Sequence, residues 1–143
     1  MLTIMLRLTR LSRKENKLAF EGAIEGKQFT FSGVPSETIA QYYIVKLGSV
    51  DGEVDLNDSA GEQCHGVAQE SGVVSGRPIR VCALGFTKVV AGAAITKGAA
   101  LQGNGSGLAI AATTADNIMG YAWETAAASG DIITALVVPA GIF

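Results

Sequence analysis

Gly66-Val67-Ala68-Gln69-Glu70 and Gly120-Tyr121-Ala122-Trp123-Glu124 lie 54 residues apart and read as two versions of one strand. Each is followed by a loop that closes on Ser-Gly (Ser75-Gly76 and Ser129-Gly130), then by a return strand over residues 79–84 or 132–138. Aligned on Gly66 and Gly120, six of the fourteen positions from 66 to 79 are identical: Gly66/Gly120, Ala68/Ala122, Glu70/Glu124, Ser75/Ser129, Gly76/Gly130 and Ile79/Ile133. Small Gly and Ala let two backbones approach closely, and a Ser-Gly pair suits a tight turn. Two such hairpins packed face to face make a compact barrel or sandwich.

Working outward, the segment between the hairpins holds the strand-like run Phe86-Thr87-Lys88-Val89-Val90 and a second run over residues 99–102. The turn Asn104-Gly105-Ser106-Gly107 follows, with a return strand over 108–111. Upstream, Tyr42-Tyr43-Ile44-Val45-Lys46-Leu47 has the aromatic and β-branched content of a strand. Residues 48–61 read as turn. At the N-terminus Leu2, Ile4, Leu6 and Leu8 alternate with Thr3, Met5, Arg7 and Thr9, the period of a half-buried strand. Strands at 18–24 and 28–31 complete a small meander, with Phe29 and Phe31 on one face, bounded by Gly33 and Pro35. The expectation is an all-β fold, a small barrel or sandwich built from hairpins. Residues 1–33 form an N-terminal meander or arm, and residues 34–143 form the core.

Composition narrows the function. The chain has 143 residues, enough for one modest core. Hydrophobic residues make up 48% and charged ones only 17%, so apolar surface exceeds what one small core hides, which points towards assembly. A net charge of −2 and a pI near 5.3 give no electrostatic basis for wrapping nucleic acid. No apolar run approaches the roughly 20 residues of a membrane-spanning helix. Arg7, Arg10, Arg13 and Lys14 carry no acid among them, but they run straight into strand-like sequence rather than forming a targeting peptide. Two cysteines, Cys64 and Cys82, flank the first hairpin; they are too few for a disulfide framework and read as small buried residues of a protein made in a reducing compartment.

No catalytic constellation emerges. His65 is the single histidine, and its neighbour Cys64 projects from the opposite face of a strand, so the two form no nucleophile–base pair. Asp51, Glu53, Asp55 and Asp58 have calcium-binding chemistry without calcium-binding spacing. Counted from Asp51, the sixth position is Leu56, where an EF-hand loop needs glycine. The glycines around Asn104 lack the Lys-Ser/Thr of a phosphate loop. The sequence calls for no cofactor, no metal and no enzyme activity. Tyr121 and Trp123, two apart on one strand, share a face suited to core packing or to a subunit contact.

From Tyr43 onward the chain resembles a family of small proteins encoded in tailed-phage head gene clusters, the capsid decoration or cement proteins. The resemblance rests on the order of several blocks: Val54-Asp55-Leu56 to Gly61-Glu62, Gly66-Val67-Ala68-Gln69 with Ser75-Gly76, residues 88–95, Gly120-Tyr121-Ala122-Trp123-Glu124, and residues 129–133. It implies a β-rich, commonly trimeric protein. Such a protein binds the major capsid protein on the outside of the virion at threefold or quasi-threefold positions and stabilises the shell. Residues before about Gly33 have no counterpart in that pattern and suit an arm that adds a strand to a neighbour. Interface candidates are Leu2, Ile4, Leu6, Leu8, Phe29, Phe31, Tyr121 and Trp123. The rival reading is an autonomous ligand-binding β-barrel module that uses the acidic loop 51–58 or the Tyr121/Trp123 face.

Overall fold

The computed structural model describes residues 29–71 and 77–142. It is all-β, with nine strands: β1 (Phe29–Pro35), β2 (Ile44–Leu47), β3 (Glu53–Leu56), β4 (Gly66–Ala68), β5 (Ile79–Val90), β6 (Ala100–Gly103), β7 (Ala109–Ala111), β8 (Asn117–Ala122) and β9 (Ile132–Ile142). They form one hydrogen-bonded sheet in the order β1-β3-β2-β4-β5-β9-β8-β6-β7, with a further pairing of β1 to β5.

That further pairing closes a ring. β1 runs parallel to β3 and antiparallel to the first half of β5, so β1, β3, β2, β4 and β5 form a five-stranded barrel. The second half of β5 then pairs with β9, followed by β8, β6 and β7. A parallel bridge from Ala91 to Ala109 shuts this second ring.

The two rings are the same structure built twice. In the first hairpin Val67 faces Cys82 and Ala68 faces Val81; 54 residues on, Tyr121 faces Leu136 and Ala122 faces Ala135. Ile44 and Val45 oppose Val67 and Gly66, as Ala100 and Leu101 oppose Tyr121 and Gly120. Phe31↔Val81 and Gly33↔Ile79 recur as Thr87↔Ala135 and Val89↔Ile133. Even the parallel contact recurs, Pro35↔Val54 becoming Ala91↔Ala109. The repeat visible in the sequence as one hairpin therefore spans both halves of the described chain. β5 is the last strand of the first ring and the first strand of the second.

The glycines that anchor the sequence repeat have one physical job. A Cβ on Gly66 would lie 2.5 Å from the Cys82 carbonyl oxygen, and a Cβ on Gly120 would collide with the equivalent Leu136 carbonyl. Only glycine permits these close approaches. Gly85, with φ of 120°, sits where β5 passes from one ring to the other, and it joins what the sequence offers as two separate strands.

Each ring has its own core, and the cores correspond. Ile39, Val45, Val54, Ala68, Ile79 and Val81 fill the first. Their counterparts Ile95, Leu101, Ala109, Ala122, Ile133 and Ala135 lie in the second, joined there by Ile44, Cys64, Val67 and Cys82 from the outer side of the first ring. Full burial of an aliphatic side chain of this size is worth about 2 kcal/mol, so these four contribute much of the adhesion between the rings.

Asn57 locks the joint. It is fully buried, and its amide nitrogen donates to the carbonyls of Ser59 (3.0 Å) and Asn104 (2.8 Å). Around it the Ile44 N–H donates to the Gly107 carbonyl, the Gly61 N–H to Gly103, and the Asn117 N–H to Gly61.

Residues 48–61, expected as turn, contain β3. Val54, fully buried, and Leu56, partly buried against the first core, supply its inward face, and the acids at 53 and 55 disguise the alternation. β1 runs through the expected domain boundary at Gly33 and is a stave of the first ring. The strands expected at 2–8 and 18–24, and the Ser75-Gly76 turn, lie outside the described residues.

Two substitutions test this architecture. Asn57→Ala is expected to destabilise the protein by about 2 kcal/mol, by removing the side-chain hydrogen bond that ties the loop after β3 to Asn104 and by opening a cavity at a fully buried position. Gly120→Ala is expected to cost about 3 kcal/mol or more through the forced strand separation. Urea unfolding midpoints measure both.

Candidate interaction surface

In a sheet, residues opposite one another on neighbouring strands share a face. On the second ring Ala100 opposes Tyr121, Tyr121 opposes Leu136, and Leu136 opposes Phe86. This row faces outward. Tyr121 is 39% exposed, while Ala100, Leu136 and Phe86 are half-buried. Trp123, 38% exposed, meets Phe86 edge to face with ring centroids 4.9 Å apart. Leu84, exposed on the same strand as Phe86, opposes the strongly exposed Phe29 of β1. Together they make an apolar, aromatic-rich face built on β5, β8 and β9.

The sequence candidates fall into three groups. Tyr121 and Trp123 both belong to this face, as their spacing suggested. Phe29 lies at its margin, whereas Phe31 packs on the first core; a register shift between Phe29 and Thr30 separates the two rings that strict alternation would put together. Leu2, Ile4, Leu6 and Leu8 lie outside the described residues. Leu136, Phe86 and Leu84 were missed, because what gathers them is cross-strand register. One signal was available: extending the repeat by its own offset marks Leu136 as the counterpart of Cys82.

His65, Asp55 and Asp58 are engaged structurally. His65 accepts a hydrogen bond at Nδ1 from the Leu47 N–H (3.2 Å). Lys46 bridges Asp58 (2.5 Å) and Glu62 (3.2 Å), while Glu62 also accepts the N–H groups of Asp58 and Ser59. The hydrogen bond from Lys46 holds the Asp58 carboxyl below its ordinary value, and the same bond raises the Lys46 ammonium. Asp55 accepts from the Ser36 hydroxyl, and Glu37 caps the Leu56 N–H (3.0 Å). Among the described residues no three His, Cys, Asp or Glu side chains gather as a metal site. Cys64 and Cys82 are free and buried; burial pushes the Cys64 thiol up to about 11 and raises Cys82 as well. Lys88 places its ammonium 5.9 Å from the Tyr42 ring centroid, beside the apolar face.

Comparison with known proteins bears on this surface. The sequence matches the profile of the phage cement protein over residues 24–139, most of the chain. The chain belongs to the phage cement protein family. A solved structure, the head fibre gp8.5 N base of bacteriophage phi29, shares the fold with a TM-score of 0.64 and 18% identity, covering 81% of this chain and 98% of that one. No curated protein sequence matches. This cement protein is thus a phage head structural protein of the virion capsid. Among the described residues no helix is long and apolar enough to cross a membrane.

The thiols offer a check on the fold. A thiolate is the reactive form, and burial with a raised pKa suppresses it. Native protein at pH 8 is expected to react negligibly with a thiol-specific disulfide reagent, and denatured protein to react at both cysteines. Rapid native labelling would show that the joint between the rings is open.

Proposed function

We propose that this protein decorates the outside of a phage head at threefold or quasi-threefold positions, as a homotrimer bound to the major capsid protein, and stabilises the shell. One observation carries the reading beyond family membership. The described surface carries an aromatic-rich apolar face around Tyr121, Trp123 and Phe86, while the histidine, the thiols and Asp55 and Asp58 of the acidic loop are engaged in holding the fold. The reading includes no catalytic activity, no nucleic-acid partner and synthesis in the host cytoplasm. Its binding is the sum of shallow contacts repeated by symmetry, so avidity replaces a deep site. The phi29 head fibre base is, by its description, also a component of a phage head, which accords with this role.

The N-terminal segment belongs to the proposal as an arm that adds a strand to a neighbouring subunit or to the shell. A ligand-binding module is the weaker alternative, since two of the four acids it would use, Asp55 and Asp58, are committed to Ser36 and Lys46.

Co-sedimentation with expanded heads and light scattering test both parts. The expected result is saturable binding by a particle three times the 14.7 kDa chain mass. A monomer that ignores the shell refutes the proposal. Deletion of residues 2–28, which spares β1, is expected to weaken head binding at least tenfold; unchanged binding removes the arm from the account.

A further inference from the structure

The internal repeat also marks where the two rings differ. The seam of the first ring, between β1 and β3, is closed by its own backbone. There the Val34 N–H donates to the Gly52 carbonyl (2.8 Å) and the Ser36 N–H to the Val54 carbonyl (3.2 Å). In the second ring the latter bond recurs, from the Gly92 N–H to the Ala109 carbonyl (2.8 Å). The former does not. Its equivalents are the Val90 N–H and the Gly107 carbonyl, each two residues before the recurring pair, and both bond elsewhere. Val90 donates to the Tyr42 carbonyl (3.3 Å), and Gly107 accepts from the Ile44 N–H (2.8 Å). Residues 42–44 of the first ring thus stand in the seam of the second, with a carbonyl turned to one side and an N–H to the other.

We infer that residues 42–44 are a strap by which the first ring closes the second, anchored by the Tyr42 side chain, and that the second ring opens between β5 and β7 when the strap leaves. Tyr42 carries the strain of this arrangement. Its backbone is left-handed, with φ of 67°, and the residue in its place in the second ring is Gly98, with φ of 89°. Matching hydrogen bonds set that correspondence. The Tyr42 N–H donates to Ala68 as the Gly98 N–H does to Ala122, and Tyr43 donates to Ala40 as Ala99 does to Thr96. The return bonds agree, from Ala68 to Tyr43 and from Ala122 to Ala99. The turn therefore suits glycine, and a residue with a Cβ adopts it at a disadvantage. A tyrosine gains a grip on the other ring in exchange. Its side chain packs against the core cluster of the second ring, and Lys88 of β5 sets its ammonium 5.9 Å from the ring centroid. A strained backbone of this kind persists where its surroundings over-determine it, and here they are the two seam bonds and the aromatic anchor. The strap closes the seam with its backbone and holds its place with its side chain.

Native-state hydrogen exchange of the full chain, read amide by amide by NMR, tests the strap. Tyr42→Gly gives the turn the residue its counterpart has and removes the anchor, whereas Tyr42→Phe keeps an aromatic ring. In Tyr42→Gly the Val90 and Ile44 amides are expected to exchange faster by about tenfold or more, while Val34 and Ser36 at the first seam stay within about twofold of wild type. Tyr42→Phe is expected to match wild type at all four. Unchanged exchange at Val90 and Ile44 in the glycine variant overturns the inference, and so does slower exchange there from the relieved turn. A rise of equal size at all four amides also overturns it, since that marks a loss of global stability alone. The wild type supplies a second measurement that needs neither variant to fold. As urea is raised, Val90 and Ile44 are expected to respond with one common slope, because one departing strap frees both. Different slopes mean that the two amides open separately, and refute the strap.

Discussion

β5 carries twelve residues through two barrels, and each barrel needs its half of that strand to close. The first half pairs with β1 and β4, and the second half with β9. Neither ring is complete without it, and the two cannot be drawn apart without cutting it. Other features serve this arrangement. Gly85 relaxes the backbone at the handover, Gly66 and Gly120 allow the paired strands to approach, and Asn57 ties the first ring to the Asn104 carbonyl of the second. Adhesion comes from Ile44, Cys64, Val67 and Cys82, four apolar side chains on what would otherwise be an outer wall.

Much of the fold was legible in the sequence, for reasons that differ by element. The hairpins at Gly66 and Gly120 were readable because their glycines face a steric demand that no other residue meets, so the same letters recur. The rest of the repeat was not, since β1 to β3 and β5 to β7 align by register while sharing few residues: Phe31 corresponds to Thr87 and Val54 to Ala109. Backbone pairing tolerates such exchanges when the neighbouring side chains compensate in volume. β3 was hidden for another reason. Its outward positions carry acids, and one buried and one partly buried apolar residue in a four-residue strand give too short a period to stand out from the turns around it.

The interaction surface was half legible. Tyr121 and Trp123 announce a face through their spacing of two, which is a local signal. Leu136 and Phe86 join that face only across strands, and the sequence alone does not set the registers. Family membership adds the setting, a phage head, while the rings explain how so small a chain can present a rigid face. Rigid presentation matters to a structural protein because ordering costs are met on folding rather than on binding.

Ring closure also bears on how this chain behaves before it finds a shell. Its composition is poor in charge, and an all-β chain with few charges has little to blunt an exposed strand edge. In the first ring β1 has β3 on one side and β5 on the other, so the strand that would have been an edge has neighbours on both. The Ala91–Ala109 bridge does the same service in the second ring. Closing the sheet twice removes the templates on which an amyloid-like stack would start.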